Sequence, residues 1–201
     1  MMNKMAHAVR FSLKRAVLRL SNRALVRKLL FQWYKFRFFY GKPSDLKIHL
    51  GCGNIRKEGF LNIDHRGTSA TNMVCDIRKL PFPLESVGLI ECYHVVEHIP
   101  HPEVPDVLKE WYRMLQSGGK LIIECPDFDR AVKEYMAGNE SRLYNIFGLQ
   151  RFPGDAHLFG YNRKRLFDLL SKAGFVEIVE AKPTDYHANH EPCLRVEGKK
   201  G

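Results

Sequence analysis

Lys47-Ile48-His49-Leu50-Gly51-Cys52-Gly53-Asn54, then residues 55–59, then Phe60-Leu61-Asn62-Ile63-Asp64, is the stretch whose reading decides the fold. It reads as a short buried strand, a glycine turn, and a second short strand that ends in a carboxylate. Gly51 and Gly53 let the backbone turn sharply and approach a ligand without a Cβ in the way. Asp64 stands where open α/β sheets place an acid against ribose hydroxyls. A dinucleotide fingerprint wants a third small residue and an acid roughly 20 residues on. Here Ile55-Arg56 occupies the place of the third glycine, and Asp64 follows Gly51 by only 13 positions. So short a connection has room for about one turn of helix, which disfavours a diphosphate ligand. S-adenosylmethionine carries no phosphate and tolerates the truncation better.

Leu50-Gly51-Cys52-Gly53-Asn54 followed by Glu58-Gly59-Phe60-Leu61-Asn62-Ile63-Asp64 resembles the glycine loop of class I S-adenosylmethionine-dependent methyltransferases. The likeness is greatest to the small subgroup associated with polysaccharide and glycan synthesis. Further matching pieces follow in order: Cys75-Asp76-Ile77, Tyr93 to Ile99, Leu115 to Leu121, Cys125-Pro126-Asp127-Phe128, His157 with Gly160-Tyr161, and Ala173-Gly174-Phe175. The resemblance spans about residues 45–199. It implies a three-layer, Rossmann-like α/β domain with a mostly parallel seven-stranded sheet closed by an antiparallel pair, and a methyl transfer to a sugar, glycan or other small-molecule hydroxyl. A non-catalytic cofactor-binding or scaffold protein at a membrane-associated complex is the alternative. Gly51, Cys52 and Gly53 would approach the methionine and ribose, with His49 and Cys92 beside them at the strand ends. Asp64 would bind ribose hydroxyls, His65 would flank the adenine, and Asp76 with Ile77 would read its edge. Two residues depart from the family pattern: His49 replaces an acid, and Gly88 replaces an Asp.

The chain has 201 residues, 45% of them hydrophobic, enough for one domain with a proper core. Its net charge of +10 is concentrated at one end. Of 32 Lys and Arg, eleven lie in residues 1–44, which hold no acid, leaving 21 bases against all 22 acids. The basic pI therefore argues little for a nucleic-acid-binding active site. Residues 1–44 read as a basic amphipathic helical arm, interrupted at Ser21-Asn22, and residues 45–201 as the catalytic domain. Three readings fit the arm: a helix on an anionic membrane surface through residues 1–40, a helix pair packed on the domain, or a nucleic-acid arm or transit peptide. The apolar runs fall short of a membrane span. Five scattered cysteines predict reduced thiols in a cytoplasmic protein, peripherally membrane-bound if the first reading of the arm holds.

His94-Val95-Val96-Glu97-His98 has the H-x-x-E-H order of an inverted zinc-peptidase helix. Pro100 and Pro102 follow at once, so any helix there is barely a turn. The string is read instead as a structural Glu97–His98 pair with His94 facing the cofactor, and no metal is expected. Cys125-Pro126 reverses the Pro-Cys of cytosine methyltransferases, and no Asn/Asp-Pro-Pro-Tyr string is present, so nucleic-acid bases are not the expected acceptor. Residues 148–161, with Arg151, Asp155, His157 and Tyr161, form the expected substrate loop. His157 is the favoured base and His94 the second candidate. His187 and His190 read as surface residues.

Overall fold

The computed structural model describes residues 46–201. The expected arm and its boundary lie outside the described residues. One sheet holds β1 (Lys47–Leu50), β2 (Leu61–Asp64), β3 (Met73–Val74), β4 (Val87–Tyr93), β5 (Leu115–Pro126), β6 (Phe175–Ala181) and β7 (Cys193–Lys200). Its order is β3-β2-β1-β4-β5-β7-β6. β1 to β5 run parallel, and β7 is antiparallel to both β5 and β6, the Rossmann-like arrangement that the resemblance implies. The strand order reverses between β1 and β4, and ligands of open α/β sheets bind outside the carboxyl ends of strands at such a switch point. Gly51 and His94 are the residues just beyond those two ends.

Ile48, Leu50, Ile90 and Ile123 are fully buried, as central parallel strands require. Helices α1 (Val104–Met114), α2 (Phe128–Met136), α3 (Leu143–Phe147) and α4 (Arg163–Ala173) pack around them. α1 buries Val104, Val107, Leu108, Trp111 and Met114 at helical spacing, and Trp111 Nε1 donates to the Ile77 carbonyl at 3.0 Å. α4 starts at Asn162, whose side chain accepts from the Arg165 N–H at 2.9 Å, and ends at the left-handed Gly174.

Two readings of the sequence are corrected: Gly118-Gly119 as the C-cap of the helix before β5, and residues 138–160 as irregular chain. Gly118-Gly119 does not cap α1, which stops at Met114; β5 already begins at Leu115, where Val87 pairs with it before the register shifts across the glycines. Residues 138–160 are not irregular throughout, since a 3-10 turn at Glu140–Arg142 leads into α3. Arg142 reaches back 2.6 Å to Glu134 of α2 and ties this segment down.

Candidate functional site

A cavity of about 1240 Å³ opens at the carboxyl ends of the parallel strands. That exceeds the usual single-ligand pocket and leaves room for a nucleoside-sized group and an acceptor together. One wall begins where β1 ends. Gly51 has φ +68°, and a Cβ there would sit 2.0 Å from Val95 Cγ2, so only glycine fits. The Gly53 N–H donates 2.8 Å to Asp64 Oδ2, while the Arg66 N–H donates 2.8 Å to Oδ1. Buried Asp64 is thereby fixed, and each oxygen keeps a further lone pair able to accept. His65 Nδ1 lies 3.3 Å from the same carboxylate. Asp76 is gripped by the Arg78 guanidinium, which holds its carboxyl below the ordinary value.

His49 lies on the same wall, and its tautomer is legible. Asn62 Nδ2 donates to the carbonyls of Lys57 and Phe60, and Asn62 Oδ1 accepts the Lys57 N–H at 2.9 Å. With the amide so oriented, His49 Nδ1, 3.1 Å from Oδ1, must donate, which leaves a lone pair on Nε2. Burial lowers the pKa of His49, with the Lys57 charge adding to it, so the ring is neutral at pH 7. Lys57 Nζ bonds to buried Glu91 and lies 3.4 Å from Tyr93 Oη, a cation at the cavity wall that the sequence reading missed.

Another part of the wall is built by the end of β4, the segment 145–158 and the loop before β7. His94 has φ +51°, a costly conformation for a residue with a Cβ and one that accumulates at functional sites. Its ring stacks on His187 with centroids 3.9 Å apart. Nδ1 lies 3.5 Å from Glu97 and 3.7 Å from Glu191, and Nε2 lies 3.6 Å from Cys193 Sγ. Burial pulls the His94 pKa down, but the Cys193 thiol and the Glu97 carboxylate beside it carry it up to about 10, which makes it an imidazolium at neutral pH. His157 is the opposite case. Its Nδ1 donates to the Asn145 carbonyl at 2.9 Å, and burial holds its pKa below the ordinary value. It is neutral, with the lone pair on Nε2. The loop closes here because Gly148, at φ +76°, brings its Cα where a Cβ would lie 2.3 Å from the Asp155 carbonyl. Asp155 is clasped by Arg151 at 2.9 and 3.0 Å and pulled down to about 2.

The structure thus gathers His49, Gly51, Cys52, Gly53, Asp64, His65, Asp76, Ile77, His94 and His157 around one cavity. Cys92 is placed elsewhere: it is wholly buried inside β4 and does not reach the cavity wall. His187, read as a surface residue, is partly buried against His94 and lines the cavity; His190 is exposed, as read, at the cavity's lining. The expected Glu97–His98 pair does not form either. His98 Nδ1 donates to the Ala156 carbonyl at 3.0 Å, and the Glu97 side chain accepts no hydrogen bond among the described residues.

Residues 50–123 match a family model described as a methyltransferase domain. No curated protein matches the chain. Among solved structures, an S-adenosylmethionine-dependent methyltransferase of Thermotoga maritima is 18% identical, with 85% of this chain and 94% of that one covered and a TM-score of 0.54. One from Archaeoglobus fulgidus is 15% identical, covering 87% of this chain and 94% of that one at a TM-score of 0.57. One from Methanosarcina mazei is 17% identical, covering 83% and 97% at 0.53. At such identities the structural likeness speaks for the fold. The chain thus resembles a methyltransferase domain over residues 50–123 and shares the fold of S-adenosylmethionine-dependent methyltransferases. Nothing in either likeness points to the glycan subgroup. No helix among the described residues is long and apolar enough to cross a membrane.

Proposed function

We propose that this chain transfers the methyl group of S-adenosylmethionine to a hydroxyl of a small molecule, a sugar or lipid-linked glycan being the acceptor we favour, with residues 1–40 holding the enzyme at an anionic membrane surface. One observation carries the methyl-transfer reading. A glycine turn braced on Asp64 and a neutral imidazole with a free lone pair, His157, line the same cavity.

The residues present fit the cofactor. A Cβ built on Gly53 would meet nothing within 4 Å, so its backbone is open to a close-lying ligand. Asp64 offers acceptors to the ribose. His49 Nε2 offers an acceptor to the methionine ammonium, and Lys57 a cation to its carboxylate, so the missing acid on β1 is replaced in kind. Bound there, S-adenosylmethionine supplies an electrophilic methyl group whose departure leaves the bonding pair on sulfur. Holding acceptor and cofactor in line accounts for much of the rate. His94, being charged, does not accept a proton at neutral pH, and it orients Glu97 and Glu191 instead. The acceptor hydroxyl is activated at His157 Nε2. Exposed Tyr144 and Tyr186, on the cavity wall, present flat faces suited to a sugar ring. A scaffold that only stored cofactor would leave this half of the cavity without a purpose.

The test is turnover of methyl-labelled S-adenosylmethionine against a panel of sugar and glycan acceptors. Label should pass to acceptor oxygen, and His157→Gln should lower kcat at least ~10²-fold with cofactor affinity within a few-fold of the parent. Cofactor binding without transfer to any hydroxyl, or normal kcat in His157→Gln, would overturn the reading.

A further inference from the structure

Glu97 has no task in the reaction as described. It is 2% exposed, and neither carboxylate oxygen has a hydrogen-bond partner among the described residues. His94 Nδ1 is near, but 3.5 Å is long for a hydrogen bond. The His94 imidazolium offsets the Glu97 charge at that distance, yet both oxygens keep lone pairs that no donor among the described residues meets.

His98 and His157 stand beside it. Each of the three residues brings one ligand atom within 4.8 Å of the other two, and the two rings meet edge to face with centroids 4.9 Å apart. Both tautomers are set by partners that can only accept. His98 Nδ1 donates to the Ala156 carbonyl and His157 Nδ1 to the Asn145 carbonyl. With Nδ1 carrying the hydrogen in both rings, Nε2 is the nitrogen of each that can ligate a metal. The His94 imidazolium meets Glu97 from one side only; the two imidazoles and the carboxylate, each with a ligand atom within 4.8 Å of the others, leave a place for a second cation among them.

The geometry points to a divalent transition-metal site formed by Glu97, His98 and His157. Two imidazoles with one carboxylate suit a zinc-like ion, whereas magnesium and calcium prefer oxygen ligands. The carbonyls behind the two Nδ1 atoms are the outer partners that metal-bound histidines ordinarily have. His98 and His157 belong to the cavity wall, so the remaining coordination positions face the acceptor. This is not the peptidase arrangement of H-x-x-E-H, because His94 is turned to Cys193 and Glu191 and the third ligand comes from position 157. The neighbouring set of His94, His187 and Glu191 is a weaker host. His187 is bonded to Asp185, Glu191 to Asn145 and His94 to Cys193.

The use of the ion rests on the methyl-transfer reading. An acceptor hydroxyl coordinated to it would lose its proton to solvent water near neutral pH; the oxygen would then form the new bond to the methyl carbon as the sulfur–carbon pair returns to sulfur. His157 then activates the hydroxyl through the ion, and not by taking the proton itself.

Calorimetry of Zn²⁺ and Mg²⁺ into the metal-stripped full chain, with Co²⁺ as a visible-absorbance probe, tests the site without acceptor or cofactor. One Zn²⁺ should bind, Mg²⁺ should not compete, and Co²⁺ should give a visible band. Glu97→Gln, His98→Ala and His157→Ala should each weaken Zn²⁺ at least about tenfold, the scale for disturbing a metal's ligand shell; His187→Ala should not. Cofactor calorimetry on the same variants checks that they fold. It also separates the two readings, since a wild-type chain that takes Zn²⁺ but no S-adenosylmethionine damages only the methyl-transfer reading. No Zn²⁺ uptake by the wild type, equal uptake by folded Glu97→Gln and His98→Ala, or loss confined to His187→Ala would overturn the metal site.

Discussion

A neutral imidazole can do the work of a carboxylate when the group it meets is an ammonium that needs only a lone pair. At position 49 the Asn62 amide fixes the donor side of the ring and burial keeps the other side unprotonated. The expected outcome is that His49→Ala weakens S-adenosylmethionine binding about tenfold or more, the scale of a hydrogen bond to a charged group. Binding of 5′-methylthioadenosine, which lacks the amino-acid tail, should stay within a few-fold, and His49→Asp should recover the loss. The pH sign follows from the direction of the shift. Because the bound-competent form is neutral and the pKa is lowered, affinity is full above the ordinary 6.5 and falls only in more acid solution, as the ring charges and repels the ammonium. Calorimetry of both ligands across pH checks this; parallel losses for the two would mean that His49 is structural. Residue identity alone left His49 as an unexplained departure, because its tautomer depends on Asn62, 13 positions away and on the next strand. His187 was illegible for the same reason: its loop looks polar and exposed until β7 folds back beside β5 and lays it on His94.

Elements were easier to read than sites because their signals are local. The glycine turn, the apolar run of β4 and the Asn162-to-Gly174 bracket of α4 each carry their cause within a few residues. Where a glycine pair had two uses the local signal misled. Gly118-Gly119 suits a helix end, yet pairing of Val87 with Leu115 claims the chain for the sheet three residues earlier. Similarly, α3 was hidden because its five residues are too few to show a period, and its place is held by Arg142 bonded to Glu134. The cap on α4 makes a clean test of an element that stabilises without touching the cavity. Asn162→Ala removes the acceptor for the Arg165 N–H and should cost about 1 kcal/mol, lowering Tm by roughly 2–4 °C. Cofactor affinity should not change, since no residue of α4 lines the cavity. A drop in affinity that matches the drop in Tm would show that α4 is coupled to the site.

At the scale of the whole molecule the charge is divided in a way that a fold description does not use. Residues 1–44 carry eleven Lys and Arg and no acid, while the remaining chain is close to neutral. A catalytic domain without a basic surface excess gains little from long-range attraction to an anionic acceptor. A segment of this composition, by contrast, gains about 1 kcal/mol for each basic side chain brought near an anionic bilayer. Val9, Leu13, Ala16, Val17 and Leu20 recur at helical spacing beside Arg10, Lys14, Arg15 and Arg19, so apolar contact and charge would act together. The full chain should therefore sediment with vesicles containing phosphatidylserine and stay in solution with neutral ones. Raising the salt should release it, because screening shortens the reach of each charge. Replacing Arg10, Lys14, Arg15 and Arg19 together with Gln should weaken sedimentation at least tenfold, which corresponds to only about 1.4 kcal/mol of the several at stake. The affinity of that variant for S-adenosylmethionine should match the parent, since every residue assigned to the cofactor lies beyond position 48. Sedimentation that ignores both salt and the four substitutions would show that the arm meets no anionic surface, and that its charge serves another partner.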